Sequence, residues 1–274
     1  MSTSLSLLLS PSSVVTRLRA GGCVFAEDEA QLLLSAAGTP DELMSMVERR
    51  VAGLPLEHIV GWAEFRGHRI AVEPGVFVPR RRTEFLVQQA LGLAGPRAVV
   101  VDLCCGSGAL GVSLVAALSG AELHAADIDP AAVRCARRNL RTVGGQVYQG
   151  DLFAPLPAAL RGRTGLLLAN VPYVPTEEIG LLPTEARVHE ARVALDGGSD
   201  GLDVLRRVTA EAAHWLAPGG HLLFETSERQ APRAVETVVR GGLLARTTVC
   251  EERDATVVTG TKPADGAGAA GTTD

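Results

Sequence analysis

Asn170, Val171, Pro172 and Tyr173 follow the apolar run Leu166-Leu167-Leu168-Ala169, and this is the stretch of the chain best equipped for chemistry. Asn-x-Pro-Tyr at the end of an apolar strand sets a side-chain amide, a free carbonyl and an aromatic ring at its carboxyl end. In an open α/β sheet, ligands bind at that edge. Asn170 offers its side-chain carbonyl. The Val171 carbonyl meets no competing N–H from the next residue, because Pro172 has none. Two adjacent acceptors suit a planar NH2 group that donates two hydrogen bonds, and Tyr173 is placed to cover one face of it. This is the pattern needed to move a methyl group onto an amino nitrogen, provided the chain also supplies a site for the methyl donor.

A donor site is legible upstream. Val99-Val100-Val101-Asp102-Leu103 is a β-branched run ending in Cys104-Cys105-Gly106-Ser107-Gly108, a turn whose glycines let the backbone approach a ligand closely. The following residues, 109–118, read as a helix. Gly111 completes a literal G-x-G-x-x-G, so a dinucleotide site is one reading. The next strand, 123–126, ends at Asp127, where an acid suits the paired hydroxyls of a ribose; NAD and S-adenosylmethionine both carry them. Asp151-Leu152 follows a third strand around Val147-Tyr148. There Asp151 can accept from an adenine amino group while Leu152 packs on the ring, or Asp151 can simply cap a helix.

The elements that position these residues alternate strand and helix, which predicts an α/β fold with a mostly parallel sheet. Residues 1–60 read as a small helical module, with Thr39-Pro40-Asp41 as a helix start. Residues 61–83 read as a β-hairpin linker turning at Glu73-Pro74-Gly75, with 76–78 as its returning strand. It runs into Arg80-Arg81-Arg82, which reads equally as a solvated basic turn. The catalytic unit spans 84–262. Its later pieces are a glycine-rich loop at 196–201, a helix over 202–216, a turn at Pro218-Gly219-Gly220, and strands at 221–225, 247–249 and 255–259. Glu225 closes the first of these strands, facing either cleft or surface. Residues 263–274 carry no core-forming pattern and read as a disordered tail.

Composition narrows the class. The net charge of −5 over 274 residues gives no broad electrostatic footprint for nucleic acid. Five cysteines without a C-x-x-C pair, and six scattered histidines, predict reduced cytoplasmic thiols and no metal centre. The apolar start lacks a basic region and a cleavage site, and no run reaches the ~20 residues of a membrane span.

The motifs together resemble those of the protein-(glutamine-N5) methyltransferases, whose members modify the Gly-Gly-Gln loop of peptide chain release factors. The resemblance runs from about Pro55 to Thr261. It includes Pro55-Leu56-Glu57-His58, Pro79-Arg80 with Thr83-Glu84, Asp102 with Gly106-Ser107-Gly108, Asp127, Asp151, Asn170 with Pro172-Tyr173, and Gly197-Gly198 with Asp200-Gly201-Leu202. It implies a class I S-adenosylmethionine-dependent methyltransferase: a Rossmann-like, mostly parallel seven-stranded sheet with an N-terminal helical domain that helps hold a release factor. It assigns Asn170, Val171, Pro172 and Tyr173 to the substrate amide. Asp102, Cys104, Cys105, Gly106, Ser107, Gly108, Asp127, Asp151, Leu152 and Asn170 are assigned to S-adenosylmethionine. The chain departs from the family where Val171 stands for a Pro, Arg81-Arg82 for a Pro-Glu pair, Cys104-Cys105 for Gly-Thr and Ser227 for a Gly. Alternative readings are an amino methyltransferase acting on a flipped nucleobase, an NAD-linked oxidoreductase and a non-catalytic binding module.

Overall fold

The computed structural model describes residues 10–264; the apolar start and nearly all of the proposed tail lie outside them. Four helices come first: α1 (Pro11–Ala20), α2 (Ala26–Ala36), α3 (Pro40–Val51) and α4 (Leu56–Val60). At the start of α3 the Thr39 hydroxyl accepts from the Glu42 N–H at 3.2 Å, with Pro40 in the first turn. Leu18, Leu33, Leu43, Met46 and Val47 bury their side chains in a core that these helices share among themselves.

A two-stranded hairpin follows, β1 (Trp62–Phe65) and β2 (His68–Ala71), paired antiparallel. Its turn is at Arg66-Gly67 and not at 73–75, and residues 76–78 form a loop instead of a strand. Arg66 and Gly67 both adopt positive φ, 51° and 80°, as a two-residue turn between twisted strands requires. On the edge that faces away from β1, the Asn139 side chain takes both backbone groups of Ala71, at 2.9 Å each. The chain from 73 to 83 then runs as a strap. The Val78 N–H donates to Glu190 at 3.1 Å, and Arg80 donates to both oxygens of that buried carboxylate, at 2.7 and 2.6 Å.

The main unit alternates α5 (Glu84–Leu93), β3 (Val99–Leu103), α6 (Ala109–Ala117), β4 (Glu122–Asp127), α7 (Pro130–Leu140), β5 (Gln146–Gln149) and β6 (Thr164–Ala169). It continues through α8 (Thr184–His189), α9 (Asp203–Trp215), β7 (Leu216–Thr226), α10 (Ala231–Arg240), β8 (Leu244–Cys250) and β9 (Ala255–Thr261). The seven strands lie in the order β5-β4-β3-β6-β7-β9-β8, parallel except for β9, which pairs antiparallel with both of its neighbours. Both faces are covered. Val100, Leu166, Leu168 and Val257 point into one core with α5 and α6, while Val101, Leu167, Phe224 and Val258 point into the other with α9 and α10. Burial on both faces explains why these strands read as continuous apolar runs. Pro218-Gly219-Gly220 is a bulge inside β7, where the register with β6 slips, and not a turn before it.

Candidate active site

Register sets the site. Leu103 at the end of β3 is level with Ala126 on one side and Ala169 on the other. Cys104, Asp127 and Asn170 therefore leave the sheet side by side. The connections from β3 run one way, to β4 and β5, and β6 and β7 lie on the other side. The β3–β6 boundary is the point where the strand order reverses, and a crevice forms there in sheets of this kind. A cavity of about 690 Å³ occupies it.

Cys104, Cys105, Gly106, Ser107, Asp127, Asp151, Leu152 and residues 170–173 all line that cavity. The Gly106 N–H donates to Asp127 Oδ2 at 2.9 Å, and the Asp129 N–H donates to Oδ1 at 2.9 Å. Burial raises Asp127, while the backbone N–H groups of Asp129 and Gly106 hold it down. Gly106 has φ of +54°, and a Cβ there would meet open space, so its backbone is bare toward the cavity. Cys104 takes the same left-handed conformation, φ 53°. Burial pushes the Cys104 and Cys105 thiols up, which keeps them neutral.

Two of the residues assigned to S-adenosylmethionine stand apart from the others. Asp102 and Gly108 lie beneath the loop and do not line the cavity. Asp102 is fully buried; burial pushes it up to about 7, opposed by the Gly111 N–H and reinforced by the Asp127 charge. Gly111, the third glycine of the G-x-G-x-x-G match, is a packing residue. A Cβ there would come within 2.9 Å of the Leu123 side chain. Asp151 does not cap a helix: its carboxylate pairs with Arg207 at 2.6 Å, at the exposed rim.

Asn170 is half-buried, and no hydrogen bond is made by its side-chain amide or by the Val171 carbonyl among the described residues. Their loop is held from outside. The Val174 N–H donates to Leu195 O at 3.0 Å, and the Gly197 N–H donates to Val174 O at 2.9 Å. A Cβ on Gly197 would fall 2.7 Å from Pro172 O. The Gln230 side chain donates to Tyr173 O at 2.9 Å and to Asp200 O at 3.0 Å. The turn-rich segment 196–201 is thus the buttress of the Asn170 loop.

Tyr173 is tethered at its other end. Its hydroxyl receives a hydrogen bond from Arg82 Nη2 at 2.5 Å and donates to Glu225 Oε1 at 3.0 Å. Arg82 Nε donates to the same oxygen at 2.8 Å. From sequence alone Arg82 reads as part of a solvated turn, Glu225 reads as either cleft or surface, and Gln230 does not stand out. The signal available was the replacement of an acid by Arg82, matched to an acid at the end of β7.

The site suits S-adenosylmethionine. Bare backbone at Gly106, an acid at the end of β4 with lone pairs to spare, and apolar Leu152 at the next strand end match a polar tail, a ribose and an adenine in turn.

Comparison with known proteins agrees. A family model described as the methyltransferase small domain matches residues 68–201. A release factor glutamine methyltransferase of Geobacter sulfurreducens is 39% identical over 77% of this chain and 73% of its own length. A 4-amino-L-phenylalanine/4-methylamino-L-phenylalanine methyltransferase of Streptomyces pristinaespiralis is 37% identical over 78% of this chain and 74% of its own. Among solved structures, a methyltransferase from Pyrococcus furiosus shares the fold, with a TM-score of 0.56, 15% identity, and coverage of 72% of this chain and 90% of that one. Sheet order, cavity and kinship converge: this chain is a class I S-adenosylmethionine-dependent methyltransferase and belongs to the release factor glutamine methyltransferase family.

Proposed function

We propose that the chain methylates the side-chain amide nitrogen of a glutamine in the Gly-Gly-Gln loop of a peptide chain release factor, in the cytoplasm. The observation that carries this reading is the pair of free acceptors, Asn170 Oδ1 and the Val171 carbonyl, beside the Gly106–Asp127 cradle. S-adenosylmethionine, when bound, supplies a methyl group on a sulfonium. Cys104, Cys105, Gly106, Ser107, Asp127, Asp151, Leu152 and Asn170 would hold it.

An amide nitrogen is a poor nucleophile because its lone pair is delocalised into the carbonyl. The two acceptors bind both amide hydrogens, fix the plane of the group and aim the nitrogen, and their dipoles favour the positive charge that develops on it. Catalysis is then chiefly proximity and orientation, which supplies at most about 7–11 kcal/mol. Tyr173 is no base: burial and the Glu225 charge push its phenol up, and its hydroxyl is engaged on both sides. The helical module of α1 to α4 is proposed to hold the body of the release factor. Arg50 ties that module to α8 by donating to Glu185, a residue of the cavity wall.

The test incubates the protein with methyl-labelled cofactor and a panel of acceptors: a release factor, 4-aminophenylalanine and a single-stranded oligonucleotide. Label on the glutamine of Gly-Gly-Gln supports the reading. Label on the free amino acid or the oligonucleotide, with none on the release factor, overturns it.

A further inference from the structure

We propose that Arg82 is a positioning residue for methyl transfer: together with Glu225 it fixes the Tyr173 ring as one wall of the Asn170 amide site. The proposal rests on the reading above for its reaction and on geometry for its mechanism. Arg82, Glu225 and Tyr173 come from three distant segments, the strap before α5, the end of β7 and the loop after β6. They close a ring of three hydrogen bonds at 2.5, 2.8 and 3.0 Å. Tyr173 and Arg82 line the cavity, whereas Glu225 stands behind them with its side chain 4% exposed.

The arrangement is a costly way to build a wall. Glu225 Oε2 is buried without a hydrogen-bond partner, and Arg82 is the one cation paired with that carboxylate among the described residues. An apolar contact would fill the same space without burying a charge. What the charged trio adds is direction. The phenol oxygen has one donor and one acceptor at fixed positions, and the Tyr173 carbonyl is held by Gln230 at the opposite end. A ring pinned at both ends cannot swing over Asn170 or away from it. Without Arg82, Glu225 is left buried with no counter-charge and the phenol loses its donor, so one hydrogen bond to an unanchored carboxylate is left to hold the ring, while the cofactor cradle is untouched.

The chain has two tyrosines, Tyr148 and Tyr173, which makes the ring directly observable. Protein carrying 3-fluorotyrosine should give two fluorine resonances, assigned with Tyr148→Phe. In Arg82→Met the Tyr173 resonance should shift or broaden while that of Tyr148 stays. In unlabelled protein, kcat toward the release factor should fall about 10- to 100-fold, the cost of a small misplacement. KM for the acceptor and the affinity for S-adenosylmethionine should stay within about threefold. Arg82→Lys should recover part of the loss, and Arg82→Met combined with Tyr173→Phe should be no slower than the worse single variant. An unchanged Tyr173 resonance, an unchanged kcat or additive losses would each overturn the proposal. Movement of both resonances would mark unfolding, and Glu225→Gln, nearly isosteric, then decides on the same readouts. If the wild-type protein methylates no release factor, the proposed function fails, and the fluorine spectra still decide whether Arg82 holds the ring.

Discussion

The backbone N–H of Gly106 donates to the carboxylate of Asp127 across 2.9 Å, so the glycine turn after β3 and the end of β4 form one rigid cradle. Asp127→Ala should therefore harm the site twice, removing the proposed ribose acceptor and freeing the turn. Affinity for S-adenosylmethionine is expected to weaken about 10- to 100-fold, as loss of hydrogen bonds to a charged group does. Isothermal calorimetry checks it, with S-adenosylhomocysteine as a second ligand.

Gly197 lies against the substrate loop, and a Cβ there would sit 2.7 Å from both Pro172 O and Gly201 O. Backbone atoms cannot step aside as a flexible side chain can. Gly197→Ala should displace residues 170–173 and lower kcat about tenfold or more, leaving cofactor affinity nearly unchanged. Steady-state kinetics paired with a binding isotherm would show the split.

Asp102 gives a pH dependence with a definite sign. Its folded-state pKa is about 7, above the unfolded value of 3.8. Between those values the folded chain holds a proton that the unfolded chain has lost, so stability falls as pH rises and the loss is complete above about 7. The full difference is on the order of 4 kcal/mol. Asp102→Asn should abolish this decline, so that wild type and variant diverge in denaturant midpoint between about pH 5 and about pH 8. Parallel curves would mean that Asp102 is ionised throughout.

Arg50 ties the helical module together. Its guanidinium donates to both oxygens of Glu29 at 2.6 and 3.0 Å, with the two side chains 10% and 11% exposed. Arg50→Met leaves Glu29 buried and without its counter-charge, and should cost about 3 kcal/mol of stability in that module. Hydrogen exchange should show the loss in α1 to α4 before the sheet.

Much of this was legible because strands buried on both faces leave an unmistakable apolar signature. The runs ending at Leu103, Asp127 and Ala169 could be aligned from sequence, and their parallel register then brings Cys104, Asp127 and Asn170 together. What sequence could not show depended on partners far along the chain. Nothing local separates Arg82 as a solvated residue from Arg82 held by Glu225, 143 residues away. The turn at Arg66-Gly67 is not legible because Arg at positive φ has no sequence signature, whereas Glu73-Pro74-Gly75 carries a strong one. Asp102 sits at a strand end as Asp127 does, and only packing shows that one is beneath the loop and the other on the cavity.

The central claim is that Asn170 and the Val171 carbonyl orient the amide without being needed to hold the cofactor strongly. The most direct measurement compares single-turnover methyl transfer and S-adenosylmethionine affinity in wild type and Asn170→Ala. Transfer should fall by about 100-fold or more, with affinity changed by less than about tenfold, because orientation and not binding has been lost. Transfer at the wild-type rate in Asn170→Ala would contradict the account.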